Sequence, residues 1–232
     1  MSKNHLKRLS APKAWPINRK EKKWITKSNP GPHKLDESMP LNLIVKDLLK
    51  YAKTTREVKN ILNKKEILIN KKPVTEIKFP IGILDIIEIP KTKEYFLFLL
   101  NKKGKFFLKK INEKKSELKY LSIIGKKILK KNKIQINFYN GNNLITENKD
   151  YKIGDTLLID LKDKKIIKHL KLEKGSTVYL KKGKYIGSIG IIENINSPDT
   201  SNNSIIEINI GEKKVNTIKK YILVIDNILE NE

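Results

Sequence analysis

In PLNLIVKDLLKYA, the residues Leu41, Ile44, Val45, Leu48 and Leu49 recur at the spacing of one helical stripe. Pro40 suits the first helical position, and Lys46, Lys50 and Lys53 share another face of the same helix. Thr54 followed three residues later by Glu57 forms a capping box, which opens a second helix. Val58, Ile61 and Leu62 make its buried stripe, beside a basic row of Arg56 and Lys59. The period then changes from helix to strand. ILIN at 67–70 and DIIEI at 85–89 read as strands, with Lys71-Lys72 as a turn. Two short helices and a small sheet make a module of about fifty residues, marginal on its own.

Residues 93–171 pattern as antiparallel sheet. EYFLFLLNKKGKFFLKK reads as a hairpin turning at Asn101 to Gly104, and QINFYNGNNLIT as another, with Asn140-Gly141 favouring a tight primed turn. DTLLIDL and IIKHLKL follow as strands. From residue 172, short β-branched runs with glycine turns indicate a small barrel of about five strands. Gly183, Gly187 and Gly190 fall where backbone must bend tightly or be closely approached. The expected architecture is α+β and multidomain: tail 1–37, α/β module 38–92, antiparallel β domain 93–171 and β-barrel 172–232.

Residues 1–37 hold Pro12, Pro16, Pro30 and Pro32 and both tryptophans of the chain, Trp15 and Trp24. The prolines deny a helix its interior and push the preceding residues towards extended geometry. Aromatics interleaved with cations suit a surface that stacks on bases while phosphates are neutralised, or a ring that docks on the following domain. The expectation is that residues 1–28 are an extension that orders only along a nucleic acid. His5, Lys7, Arg8, Lys13, Arg19 and Lys20 would contact phosphates, with Trp15 as anchor.

Charge narrows the function. Fifty Lys and Arg face 25 Asp and Glu, for a formal +25. The excess is +7 in 1–37, +4 in 38–89 and +14 in 90–171, and it vanishes in 172–232. A folded chain with that surplus adsorbs to polyanions, and nucleic acid is the leading partner. Lysines gather in expected turns and strand ends, among them Lys126, Lys127, Lys130 and Lys131, and a local patch holds Lys181, Lys182 and Lys184. Only Arg8, Arg19 and Arg56 are arginine, and a planar fork binds phosphate through two parallel hydrogen bonds where lysine cannot.

The chain has no cysteine, so disulfides and thiolate metal sites are excluded. Its three histidines, His5, His33 and His169, lack metal-ligand spacing. No Ser/His/Asp set and no phosphate-binding glycine loop occurs. No cofactor, metal or catalytic group is expected. No run of eighteen apolar residues and no signal-peptide core is present, so the expected location is cytoplasmic, without a membrane partner.

In sequence order, HLKRLSAPKAWPI, PGPHKLDESMPL, TTREVKNILNKKEILINKKPV and KFPIGILDIIEIPKT resemble the small-subunit ribosomal protein S4e family of archaea and eukaryotes. VYLKKGKYIGSIGIIENI is similar to a KOW motif. The resemblance covers nearly the whole chain, and the lack of a long basic C-terminal extension favours the archaeal form. It implies a structural, non-catalytic ribosomal component, one copy per small subunit, bound to small-subunit ribosomal RNA and neighbouring ribosomal proteins. It puts Arg56, Lys59 and the nearby helix lysines on the RNA side of the module. Two departures stand out: Lys64-Lys65 replace a usual glycine turn, and Asn70-Lys71-Lys72 replace an Asp/Asn-Gly pair, adding charge at an RNA-facing turn. Two alternatives remain. One is an RNA-modifying enzyme such as a pseudouridine synthase, which shares the module; against it, Asp85 reads as a turn cap. The other is a KOW-containing transcription or elongation factor.

Overall fold

The computed structural model describes residues 4–130, 133–196 and 204–226. The chain is mostly β and forms two compact units, residues 1–119 and 120–232.

In the first unit, strand Ser38–Pro40 pairs with Pro80–Gly82 and frames the entry to the helices. The stripe from Leu41 does form a helix, but a mixed one. One α-turn, Leu41–Leu43, passes into a wider π-turn, Ile44–Leu48, closed by Leu49 N–H to the Ile44 carbonyl. Pro40 is the extended cap before it, not its first residue. The turn stops at Lys50, whose φ is +59°, so Lys53 lies outside the helix and shares no face with Lys46. Buried residues three and four apart fit either helix, which is why the pattern reads as α.

The second helix, Thr55–Asn63, starts at the expected residue. Glu57 N–H donates to the Thr54 hydroxyl at 3.2 Å, and the Glu57 carboxylate accepts from Lys53 N–H at 2.8 Å. The Lys53 N–H first, and then the Thr54 hydroxyl, which donates to the same carboxylate at 2.8 Å, hold the Glu57 carboxyl below its ordinary range. At the other end, Lys65 N–H bonds the Leu62 carbonyl and Glu66 N–H the Ile61 carbonyl, a Schellman closure with Lys65 at φ +56°. Lysine at that left-handed position is strained by about 1 kcal/mol. Lys65→Gly is therefore expected to raise stability by roughly 0.5–1 kcal/mol, read as a higher urea midpoint with unchanged slope.

A five-stranded antiparallel sheet follows, ordered Lys72–Pro73, Leu68–Ile69, Ile86–Ile89, Glu94–Leu100, Phe106–Ile111. Ile69 faces Lys72, so the two-residue turn is Asn70-Lys71 and not Lys71-Lys72. Both residues have positive φ, +50° and +63°, as a type I′ turn requires. The hairpin 94–111 belongs to this sheet, because Ile86 to Ile89 register with Leu97 to Glu94. The expected boundary at 92/93 therefore gives way to one at 119/120. All four residues of IIEI are buried, so both faces of that central strand are covered.

The second unit carries two sheets. The first runs Asn143–Thr146, Ile134–Phe138, Leu118–Ile128, Thr156–Asp160, Ile166–Leu170. Alternation decides its inner face: Ile134, Ile136 and Phe138 are buried, and Gln135 and Asn137 are not. Leu121, Ile123, Leu157 and Ile159 complete that core. The hairpin at Asn140-Gly141 is one residue longer than a primed turn. Gly141 N–H bonds the Phe138 carbonyl and Gly141 alone sits at φ +77°, the three-residue loop with glycine at its left-handed position. The second sheet is ordered Lys213–Ile218, Ile205–Ile210, Ile189–Asn196, Thr177–Leu180, Ile222–Val224, over a core of Val178, Leu180, Ile192, Ile206 and Ile208. Among the described residues, no helix is long and apolar enough to cross a membrane.

Candidate nucleic-acid interface

Prolines leave the N-terminal segment with carbonyls that no helix or sheet uses, and the two arginines there satisfy them. Arg8 is buried; its Nη1 donates to the Asn18 carbonyl at 2.7 Å and to Glu21 at 3.4 Å. Arg19 Nη1 donates to the Ala11 carbonyl at 2.9 Å and the Leu9 carbonyl at 3.2 Å, and its Nη2 to the Pro12 carbonyl at 3.0 Å. Strand Leu6–Lys7 pairs with Trp24–Ile25. Trp15 is wholly buried and donates its indole N–H to the Ser38 carbonyl at 2.7 Å. Phe106 N–H bonds the Ala14 carbonyl at 2.9 Å. The expected loose extension is thus a folded part of the first unit. Arg8 and Arg19 hold backbone in place of phosphate, and Trp15 anchors the segment to the module. Arginine fits this work because its fork reaches several carbonyls at once. His5, Lys7, Lys13 and Lys20 remain exposed.

On the module, Arg56 and Lys59 point outward from one helix, and Lys50, Lys53, Lys64, Lys65 and Lys72 are exposed around it. Lys46 is half-buried beside Asp47, whose carboxyl is raised above its ordinary range by burial, which outweighs the attraction of Lys46. Lys71 is taken inward: its ammonium lies 2.7 Å from the buried Glu88 carboxylate, 3.4 Å from the Ser116 hydroxyl and 5.7 Å from the Tyr95 ring centre.

A buried polar centre escaped the sequence reading. Asp85 accepts from Gly82 N–H at 2.8 Å, from Asn70 Nδ2 at 3.0 Å and from Lys119 Nζ at 2.5 Å, and shares a 2.9 Å hydrogen bond with His33 Nε2. Asn70 in turn accepts from Ile86 N–H at 3.1 Å. Asp85 does cap its turn, as expected, and it also joins four chain segments. Burial by itself would raise its carboxyl, but the Lys119 ammonium and the His33 bond outweigh burial and hold it well below the usual range. His33 is accordingly a core residue, not a tail contact. No spacing rule could have paired residues 52 apart.

In the second unit, Lys127 and Lys130 are exposed on and just after the long strand Leu118–Ile128. Lys126 donates to the Lys149 and Tyr151 carbonyls at 2.6 and 3.0 Å. Lys131 lies outside the described residues. Lys181 is buried with its ammonium 3.8 Å from the Tyr139 ring centre, Lys182 is half-buried, and Lys184 is exposed near Tyr185. Gly183 and Gly187 have φ of +95° and +74°. At Gly190 a Cβ would meet the Asn209 carbonyl at 2.6 Å, so the neighbouring strand demands glycine there.

Comparison with known proteins places the fold. The family model described as ribosomal family S4e matches residues 92–166, and an N-terminal domain model, RS4NT, matches residues 2–36. Small ribosomal subunit protein eS4 of Methanosphaera stadtmanae is 39% identical, over 97% of this chain and 92% of its own. The protein of the same name from Methanothermobacter thermautotrophicus is 35% identical, over 97% and 93%. The crystal structure of the 30S ribosomal protein S4e from Thermoplasma acidophilum superposes with a TM-score of 0.70 at 30% identity, covering 82% of this chain and 95% of that one. Near-complete, collinear similarity of this kind leaves one conclusion: the chain belongs to the S4e (eS4) family of small ribosomal subunit proteins.

Proposed function

We propose that this protein is a structural constituent of the small ribosomal subunit in the cytoplasm. It binds small-subunit ribosomal RNA, adjoins neighbouring ribosomal proteins as a single copy, and performs no catalysis. The observation that carries this reading is the full-length similarity to proteins named as small-subunit components, joined to a formal charge of +25. Within that reading, Arg56, Lys59, Lys64 and Lys72 of the module, Lys7, Lys13 and Lys20 of the N-terminal segment, and Lys127 and Lys130 of the long strand are the RNA-facing cations. Their exposure supports this. The last sheet is a KOW-type barrel, supported by its strand order, in which the first strand lies between the second and the fifth. Its neutral charge suits a protein neighbour.

After a high-salt wash the protein is expected to sediment with the small subunit, whereas a cycling elongation factor would be released. With transcribed ribosomal RNA, log K should fall against log salt by about 0.7–0.9 per phosphate contacted. Arg56→Ala should weaken binding by about 1–3 kcal/mol. Unchanged affinity would move the contact face elsewhere on the module.

A further inference from the structure

We infer that Trp24 and His5, with the cavity beside them, form a site for one unpaired nucleotide of RNA: the base stacks on the indole and the phosphate enters the cavity. This rests on the ribosomal-RNA reading above and names what one face of the protein takes. Of the two tryptophans, Trp15 is fully buried, whereas Trp24 is 52% exposed. The extended pairing of Lys7 with Trp24 holds the indole on the ribbon, and the His5 ring braces it at 5.5 Å, tilted by 52°. Lys23 lies over the indole at 5.4 Å. A nucleobase competes for that position, and the displaced ammonium then meets a phosphate.

A cavity of about 650 Å³ opens along the same segment, lined by Asn4, Lys27, Ser28, Pro30, Lys34 and Lys78 among others. Asn4 directly precedes His5, and Lys27 follows Trp24 by three residues, a span of about 10 Å in extended chain. Three lysines line the cavity, and among the described residues no carboxylate does. The one acidic side chain between Lys7 and Lys27, Glu21, is engaged by Arg8 and Asn18. The Ser28 hydroxyl is buried and, among the described residues, has no hydrogen-bond partner. A buried hydroxyl in that state is costly, and a phosphate oxygen would satisfy it. The cavity wall is set by the turn: a Cβ at Gly31 would stand 2.7 Å from the Pro80 ring. An exposed aromatic, a cationic pocket and an orphaned hydroxyl along one short ribbon fit a nucleotide better than an apolar protein surface.

The full chain should be titrated with transcribed small-subunit ribosomal RNA at several salt concentrations. Trp24→Ala is expected to weaken binding roughly five- to a hundredfold with the salt slope unchanged, because stacking releases no counterion. Trp24→Phe should retain most of the affinity, and Lys34→Ala with Lys78→Ala should lower the slope by about 0.7–0.9, the share of the one phosphate in the cavity. Wild-type binding by Trp24→Ala, while Arg56→Ala with Lys59→Ala still weakens it, would overturn the nucleotide site and leave the ribosomal-RNA reading intact. Absence of binding by the wild-type chain would sink that reading instead, and this site with it. Quenching of Trp24 fluorescence by iodide supplies a separate check. Protection by RNA alone supports the site, and protection only when other subunit proteins are added means a protein covers the indole and overturns it.

Discussion

Asp85→Ala is expected to lower the stability of the first unit by about 3–5 kcal/mol, the cost of leaving a buried charge without its partner. Lys119 would be that charge, since it is 3% exposed and its ammonium meets Asp85. Gly82 N–H, Asn70 and His33 would lose an acceptor at the same time. In thermal unfolding this corresponds to a fall on the order of 10–20 °C. A double-mutant cycle separates the ion pair from the rest: Asp85→Asn with Lys119→Met should be far less damaging than the sum of the single changes, because no unpaired ion remains. Additive losses would mean that the pair contributes nothing as a pair.

The pH dependence has a definite sign. Asp85 has its folded carboxyl held far below the ordinary value of about 3.9, so on acidification the unfolded chain takes up that proton first. The stabilisation from the carboxylate is therefore complete above the ordinary value and is lost as pH falls from there towards the depressed one. Asp85→Asn should be less stable at neutral pH and should show a flatter loss of stability below about pH 4. A parallel acid profile would assign acid unfolding to other carboxylates.

The second large effect is expected at Trp15. Trp15→Ala removes a wholly buried indole and its 2.7 Å bond to the Ser38 carbonyl, and should cost about 3–5 kcal/mol. Trp15→Phe should cost less, keeping most of the packing and losing the hydrogen bond, worth about 1 kcal/mol. The distinguishing readout is limited trypsin digestion. In the wild type, cleavage after Lys20, Lys22 and Lys23 should be slow relative to Trp15→Ala, because the ribbon and the arginine bonds hold that stretch. Equal digestion of the two would mean that the segment is loose regardless of its anchor.

Features that depend on near neighbours in the chain were legible. The Thr54–Glu57 cap was readable because it needs only a hydroxyl and a carboxylate three residues apart. Both long hairpins were readable from apolar runs broken by the turn residues Asn101 to Gly104 and Asn140-Gly141. What the residues hid was tertiary. The pairing of Ile86–Ile89 with Glu94–Leu100 moved a boundary, because an apolar run does not say which strand lies beside it. The arginines of the N-terminal segment looked like phosphate ligands, since a carbonyl eight or ten residues away offers no sequence signal. Of the two tryptophans, both set among basic residues of the same segment, only the fold decided that Trp15 turns inward and Trp24 outward.

Two guanidinium groups closed on main-chain carbonyls have one more consequence. The ordering entropy of the N-terminal segment is settled during folding, before any partner is met. The protein thus reaches its partner with that cation pattern already fixed in space, as a preorganised key whose association needs little coupled folding.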